Sequence, residues 1–218
     1  MQIPENSLQQ FAGHLEREGR SPGTVEKYLR DVRQFVLWLH GRELTWADYC
    51  RLLDAAGKQG REHLHLLMEA ICSTGIRVSE VRYITVEAAR RGKAKITLKG
   101  KIRTILLPAK LCRKLLKYAR AQKTASGKIF LTRSGKSLSR SQIWREMKDL
   151  CERAGVARSR VFPHNLRHLF ATLFYGACRD IVKLADILGH SSVNTTRIYL
   201  MTTGAEHARQ LERLGLVI

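Results

Sequence analysis

The sequence has 218 residues and 44% of them are hydrophobic, so it can bury an ordinary globular core and is not expected to be disordered. Lys and Arg number 39 against 19 Asp and Glu, which gives a formal net charge of +20 and predicts a polyanionic partner. The sequence contains neither an apolar run near 18 residues nor a signal-peptide pattern, so nucleic acid is a better candidate than a membrane surface.

The cysteines bear on the compartment of the protein. They are odd in number, widely separated and without a C-x-x-C pair: Cys50, Cys72, Cys112, Cys151 and Cys178. We interpret them as reduced core residues of a cytoplasmic protein.

Four helices are predicted in the N-terminal third of the chain. Each has apolar residues at helical spacing and is bounded by a capping residue or by glycine. The third of them begins with a capping box formed by Thr45 and Asp48. The predicted segments are Leu8–Leu15, Thr24–Gly41, Thr45–Gly57 and Leu64–Gly75.

The middle of the chain switches from helical to alternating periodicity. Residues from Ala94 to Leu107 alternate about Lys99-Gly100-Lys101, which is a β-hairpin signal. The other predicted elements are a helical turn started by Thr74 or Ser79, a basic helix from Pro108 to about Lys123, a short strand Ile129–Leu131, a helix from Ser139 or Ser141 to Gly155, and a final short helix Glu206–Leu214. The predicted fold class is mainly α with a small antiparallel β-hairpin (α+β).

The stretch from Phe162 to Tyr199 is dense in groups that suit phosphate chemistry. His164 and Arg167 follow Pro163, a favoured first-turn residue, and should share one face near a helix N-terminus, an end that attracts anions. His190 precedes Ser191, a good N-cap, which would place Tyr199 roughly 12 Å along the next helix. One tyrosine, two histidines and an arginine could therefore converge.

Taken singly, each of these residues has an ordinary structural interpretation. His164 and His168 have the i, i+4 spacing of a metal pair, but no acid lies between them and spacing places no third ligand, so zinc is disfavoured. Arginines commonly form surface salt bridges, and Tyr199 could be a core aromatic. Lys99 could be a solvated loop lysine.

The joint pattern is far more specific. Six residues form one candidate set when they are considered in chain order: Arg77, Lys99, His164, Arg167, His190 and Tyr199. With the surrounding Thr74–Glu80 and Leu188–Ser192 segments, they closely resemble the tyrosine recombinase (phage integrase) family. The resemblance covers about Glu43 to the C-terminus and is greatest to integrases of Gram-positive phages and mobile elements. That family places its catalytic lysine in a β-hairpin, where Lys99 fits best and Lys101 is the second choice.

The resemblance implies a role for each of the six residues. Tyr199 would attack a DNA phosphorus to form a 3′-phosphotyrosyl link and release a 5′-hydroxyl, without metal, ATP or another cofactor. Arg77 and Arg167 would clamp the phosphoryl oxygens, and Lys99 would be the general acid. His164 would assist proton movement at the tyrosine, while His190 would donate to a nonbridging oxygen.

The family also implies partners and a domain organisation. We expect double-stranded DNA as substrate and a homo-oligomer, a tetramer on DNA, in which the C-terminal helix docks on a neighbouring protomer; a helix folded on its own domain is the alternative. Residues 1–42 are predicted to form a truncated helical core-DNA-binding segment and residues 43–218 the catalytic domain. Because only two helices precede Glu43, we expect an incomplete clamp around DNA and poor cleavage by the isolated protein.

Two other functions remain open. The chain could be a recombinase-derived DNA-binding or regulatory protein without full strand exchange, or a relaxing enzyme of the type IB topoisomerase kind. An RNA-binding module is disfavoured because aromatic residues are few and no glycine-aromatic RNA motif occurs.

Overall fold

The computed structural model describes residues 5–29, 43–98, 101–132 and 134–190, together with Val193 and Thr196. The chain divides into two compact units. The larger unit spans Leu44–Tyr199, and the smaller unit contains the N-terminal segment Met1–Glu43. Within the described residues, no helix is both long and apolar enough to cross a membrane.

In the smaller unit, helix α1 spans Glu5–Arg17 and the described part of helix α2 covers residues 22–29. The prediction that Thr24 caps the second helix is wrong. The Ser21 hydroxyl accepts from the Thr24 backbone N–H at 3.4 Å, and the Ser21 carbonyl accepts from Val25 at 3.0 Å. The helix starts a turn earlier because a proline, well suited to the first helical position, follows Ser21. The predicted end at Gly41 lies outside the described residues.

Where the structure describes the larger unit, it is helical apart from one hairpin, so the predicted fold class is confirmed. Strands β1 (Lys93–Leu98) and β2 (Lys101–Leu106) pair antiparallel, with Ile96 opposite Arg103. Short 3-10 turns occupy Val78–Tyr83 and Arg158–Arg160. The helices are α3 (Trp46–Lys58), α4 (Glu62–Thr74), α5 (Val86–Arg91), α6 (Ala109–Ala121), α7 (Arg140–Ala154), α8 (Pro163–Cys178) and α9 (Ile181–Leu188).

Capping explains most helix boundaries. The Thr45–Asp48 capping box is present, with reciprocal bonds of 3.0 and 3.2 Å, and Ser139 caps α7 in the same way through Gln142. Gly75 ends α4 in the left-handed conformation, as predicted. Gly57 does not end α3, because the helix continues to Lys58 and the reversal of the chain takes place at Gly60, where φ is +64°.

Two further predictions need correction, and two short helices were missed. Ile129–Leu131 is not a strand: Lys128 and Leu131 form only isolated bridges, and the apolar pattern reflects burial of Ile129 and Phe130 in a loop. Helices α5 and α9 were not predicted, because six and eight residues give too little periodicity to detect. Of the cysteines, all free, Cys50 and Cys178 are exposed and so are not core residues, whereas the other three are buried.

Helix α4 is the centre of the core. Leu64, Leu67, Met68 and Ile71 are at most 1% exposed, and the helix packs against α3, α6 and α8. Its C-terminal end lies directly against α8, since a Cβ added at Gly75 would be 2.5 Å from the Phe170 ring. The core thereby fixes the position of the segment that follows Gly75.

We predict that Gly75→Ala destabilises the protein by more than its backbone strain. Left-handed alanine costs about 1–2 kcal/mol, and overpacking against Phe170 and Leu188 adds about 1–3 kcal/mol. The matched control is Gly92→Ala, since Gly92 has a φ of +67° but no described atom within 4 Å of the added Cβ. Equal losses of unfolding free energy in urea for the two variants would contradict the packing argument.

Candidate active site

Elements from four parts of the larger unit bring a cluster of arginines and histidines together. Arg77 precedes the 3-10 turn after α4, Arg103 lies on β2, Arg167 on α8, and His190 follows α9. The carbonyl groups of Leu188 and Gly189, where α9 ends, lie between the guanidinium groups.

Arg167 is the buried member of the cluster, with 3% of its surface exposed. Its Nη1 donates to the Gly75 carbonyl at 2.5 Å, and its Nη2 donates to the Leu188 carbonyl at 2.9 Å. The same Nη2 is 2.9 Å from His190 Nε2. Arg167 therefore joins the ends of α4 and α9 and contacts one of the predicted site histidines.

Arg77 is the accessible member, with 43% of its side chain exposed. It is fixed by Glu80, whose carboxylate accepts from the Arg77 backbone N–H at 2.8 Å and from its Nη1 at 3.0 Å. Its Nη2 contacts the Gly189 carbonyl at 3.4 Å. These bonds hold one edge of the guanidinium against the protein while the side chain still reaches solvent.

Arg103 completes the set of guanidinium groups. Its Nη2 donates to Glu80 at 2.7 Å, and its Nη1 donates to the Leu188 carbonyl. Its side chain is 16% exposed, and burial lowers its pKa, with the Arg77 charge acting in the same direction and Glu80 opposing both. Glu80 is thus shared by two arginines, and the Leu188 carbonyl is shared by Arg103 and Arg167.

His190 lies between a cation and a hydroxyl. Its Nδ1 is 2.8 Å from the hydroxyl of Thr196, a fully buried residue. Burial, followed by the charge of Arg167, lowers the pKa of His190 to about 4. A neutral ring whose Nε2 accepts from Arg167 and whose Nδ1 donates to Thr196 satisfies both contacts.

His164 lies in the first turn of α8. Burial lowers its pKa, and the neighbouring His168 and Arg167 act in the same direction. It borders a cleft of about 530 Å³ that Trp144 and Phe162 also line. The histidine is therefore close to the arginine cluster and also faces a cavity.

The structure brings four of the six predicted residues together: Arg77, His164, Arg167 and His190. Lys99 and Tyr199 lie outside the described residues. Three residues that contact the cluster were not predicted from the sequence as site residues: Glu80, Arg103 and Thr196. Spacing offers a partial signal for Glu80, which is three residues after Arg77, and for Arg103, which shares a strand face with the apolar Ile105.

Comparisons with known proteins show which family the chain is similar to. The sequence profile described as the Phage integrase family matches residues 42–206. The chain is 34% identical to tyrosine recombinase XerD of Bifidobacterium longum over 90% of this chain and 77% of that protein. It is 32% identical to tyrosine recombinase XerA of Pyrococcus furiosus over 81% of this chain, and spans only 63% of that relative.

A solved structure shares the fold. The XerH site-specific recombinase bound to difH substrate, a pre-cleavage complex, superposes with a TM-score of 0.66 at 22% identity. The match covers 99% of this chain and 71% of that chain. At this identity the likeness concerns the fold.

We predict that His190 is neutral in the free protein at pH 7. Its pKa of about 4 should appear in an NMR titration of the histidine rings, with the resonance assigned by its loss in His190→Gln. An unfolded histidine has a pKa of about 6.5. The contribution of neutral His190 to the free energy of unfolding is therefore fully present above that pH and is lost as the pH falls toward about 4. His190→Gln should remove this part of the pH dependence, and a titration midpoint near 6.5 would contradict the prediction.

Proposed function

The chain belongs to the phage integrase family and is a tyrosine recombinase, and we propose that it cleaves and rejoins duplex DNA at a specific site through a 3′-phosphotyrosyl intermediate. The match to the family profile and the similarity to XerD confirm the predicted family. The observation that best supports the proposed chemistry is the joint anchoring of Arg77 and Arg167 on the neighbouring carbonyls of Leu188 and Gly189. This arrangement sets two guanidinium groups beside His190, as a phosphoryl clamp requires.

The two arginines have different roles in this proposal. Arg77 is exposed and offers its guanidinium to a nonbridging oxygen. Arg167 is buried, and it contacts the turn after α9 and His190 from the protein side. When a phosphate arrives, its oxygen replaces the mutual contact of Arg167 and His190. His190 then needs a proton on Nε2 to donate to that oxygen, and the negative charge of the phosphate favours this protonation.

The roles of the remaining residues rest on the match to the family's motif. Tyr199 is the nucleophile, and its proton passes to His164 or to water. The bond between phosphorus and O5′ breaks, and Lys99 supplies the proton that O5′ takes up. The proposal needs no metal because the two arginines neutralise the phosphoryl oxygens, and it needs no ATP because the phosphotyrosyl bond conserves the energy for rejoining.

The substrate in this proposal is duplex DNA. The net charge of +20 supports a polyanionic partner, and XerH was solved bound to its difH substrate. A tetramer on DNA, joined by docking of the C-terminal helix, is part of the proposal, as is a cytoplasmic location. The helix Glu206–Leu214 and the rest of the C-terminal segment lie outside the described residues.

We also propose the division into a helical segment 1–42 and a catalytic domain 43–218. Two observations support the boundary: the compact unit that contains the candidate site starts at Leu44, and the family match starts at residue 42.

We predict that the wild-type protein forms a covalent adduct with a nicked suicide duplex carrying its site, and that Tyr199→Phe forms none. Removal of the hydroxyl deletes the nucleophile and leaves DNA binding in place. The adduct is detected as a slower band on a denaturing gel. Binding by wild type without any adduct would instead support a regulatory DNA-binding protein.

Two products distinguish the remaining alternatives. Exchange of strands between two duplexes is expected for a recombinase, whereas relaxation of supercoiled plasmid without exchange would identify a topoisomerase-like enzyme. Both assays use the same protein and the same DNA site.

We predict that Arg167→Lys slows cleavage far more than it weakens binding. Lysine cannot contact the Gly75 and Leu188 carbonyls and a phosphate oxygen with one planar fork, and loss of a transition-state donor typically costs about 10²–10³ in rate. Single-turnover cleavage and gel-shift affinity separate the two effects, and a melting curve checks folding. Arg91→Lys, an exposed change on α5, is the matched control. Equal losses in binding and cleavage would contradict the clamp.

A further inference from the structure

Arg103 ties the hairpin to the arginine cluster through two bonds of different kinds. One goes to the buried carboxylate of Glu80 and the other to the carbonyl of Leu188, both from the same guanidinium. Each acceptor also binds a clamp arginine, since Glu80 accepts from Arg77 and Leu188 from Arg167. Arg103 is therefore the point where β2 is connected to both halves of the clamp.

The hairpin has packing and hydrogen bonds of its own besides the bonds of Arg103. Ile96 and Ile105 are buried at 2% and 4%, and the Tyr83 hydroxyl donates to the Thr97 carbonyl at 3.2 Å. The strands are paired along their whole length, with Ala94 opposite Ile105. The bonds of Arg103 accordingly fix where the hairpin lies relative to the turn after α9, beyond what its own packing provides.

The turn after α9 is fitted closely to Arg103. Gly189 has a φ of +64°, and a Cβ added there would overlap the Arg103 guanidinium. The side chain thus lies close against the backbone that precedes His190. Such close contact leaves little freedom for the hairpin to shift while the turn stays in place.

We propose that Arg103 is a positioning residue that holds the hairpin, and through it the Lys99 general acid, in register with the arginine clamp. The inference rests on the proposed function. Lys99 and Gly100 connect the two strands in the sequence, so the position of β2 limits that of Lys99. A general acid has to come within about 3 Å of the leaving oxygen, and a displacement near 1 Å costs about 10²-fold in rate.

Loss of Arg103 should disturb the arginine clamp less than it disturbs the position of the Lys99 general acid. Arg77 retains both of its bonds to Glu80, and Arg167 retains the Gly75 carbonyl and His190. The hairpin, by contrast, loses both bonds of its inward-facing arginine. The defect should therefore concern proton delivery to O5′ in particular.

A change of leaving group tests this assignment. In ordinary DNA the departing O5′ must take up a proton, whereas in a 5′-bridging phosphorothiolate the sulfur leaves as a stable thiolate and needs none. The Tyr199 oxygen forms the same bond to phosphorus in both cases. The test measures single-turnover cleavage of the two suicide substrates at saturating protein.

For Arg103→Met we expect cleavage of the ordinary substrate to fall about 10²-fold, while the phosphorothiolate is cleaved within about threefold of wild type. Arg103→Lys, which can reach only one acceptor at a time, should give a smaller selective loss. The matched control is Lys95→Met, which removes an exposed charge from the same hairpin and should leave the ratio of the two rates unchanged.

Two results would overturn the inference. Equal losses on both substrates in Arg103→Met and Arg103→Lys would place Arg103 in the clamp or the fold, and undiminished cleavage of the ordinary substrate would remove its role. These results differ from a failure of the proposed function, in which the wild-type protein forms no adduct with either substrate. Melting curves of the variants check that the hairpin remains folded.

Discussion

The buried carboxylate of Glu80 is the constraint on which the geometry of the candidate site depends. A carboxylate with 2% exposure is costly unless charged partners surround it. Here the partners are the backbone and guanidinium of Arg77 and the guanidinium of Arg103, at 2.7–3.0 Å. One acid near the end of the central helix thereby orients two cations that come from different elements.

Burial and neighbouring charges explain the state of the histidines. Burial is the main cause of the lowered pKa values of both His164 and His190, and nearby charges, among them Arg167 in each case, act in the same direction. The neutral His190 accepts from Arg167 in the protein without DNA. In the proposed reaction an arriving phosphate reverses this balance, because it supplies the negative charge that the cluster lacks. The proposal therefore requires a site that is organised for an anion before the anion binds, as in preorganised electrostatic catalysis.

The sequence predicted the residues proposed to contact the phosphate better than the residues that hold them in place. Arg77, Arg167 and His190 stand in short motifs with a fixed order, and the structure brings them together. Arg103 could not be assigned in this way, because its partner Glu80 is 23 residues away and only the strand register turns its side chain inward. Local signals also failed where burial alone made residues apolar, as in the loop that contains Phe130.

The remaining acceptors explain why the cluster keeps its positive charge. Helices end with carbonyl groups that lack partners within the helix, and these groups carry only a partial negative charge. Arg167 binds such carbonyls at the ends of α4 and α9, at Gly75 and Leu188, while Arg77 contacts Gly189. Carbonyl groups can fix a guanidinium in place without neutralising it, whereas a carboxylate on each arginine would cancel the charge. Glu80 is shared by two of the three arginines, and the described contacts of Arg167 go to carbonyls and to His190, so the cluster is fixed in place and keeps the positive charge that the proposed phosphate contact requires.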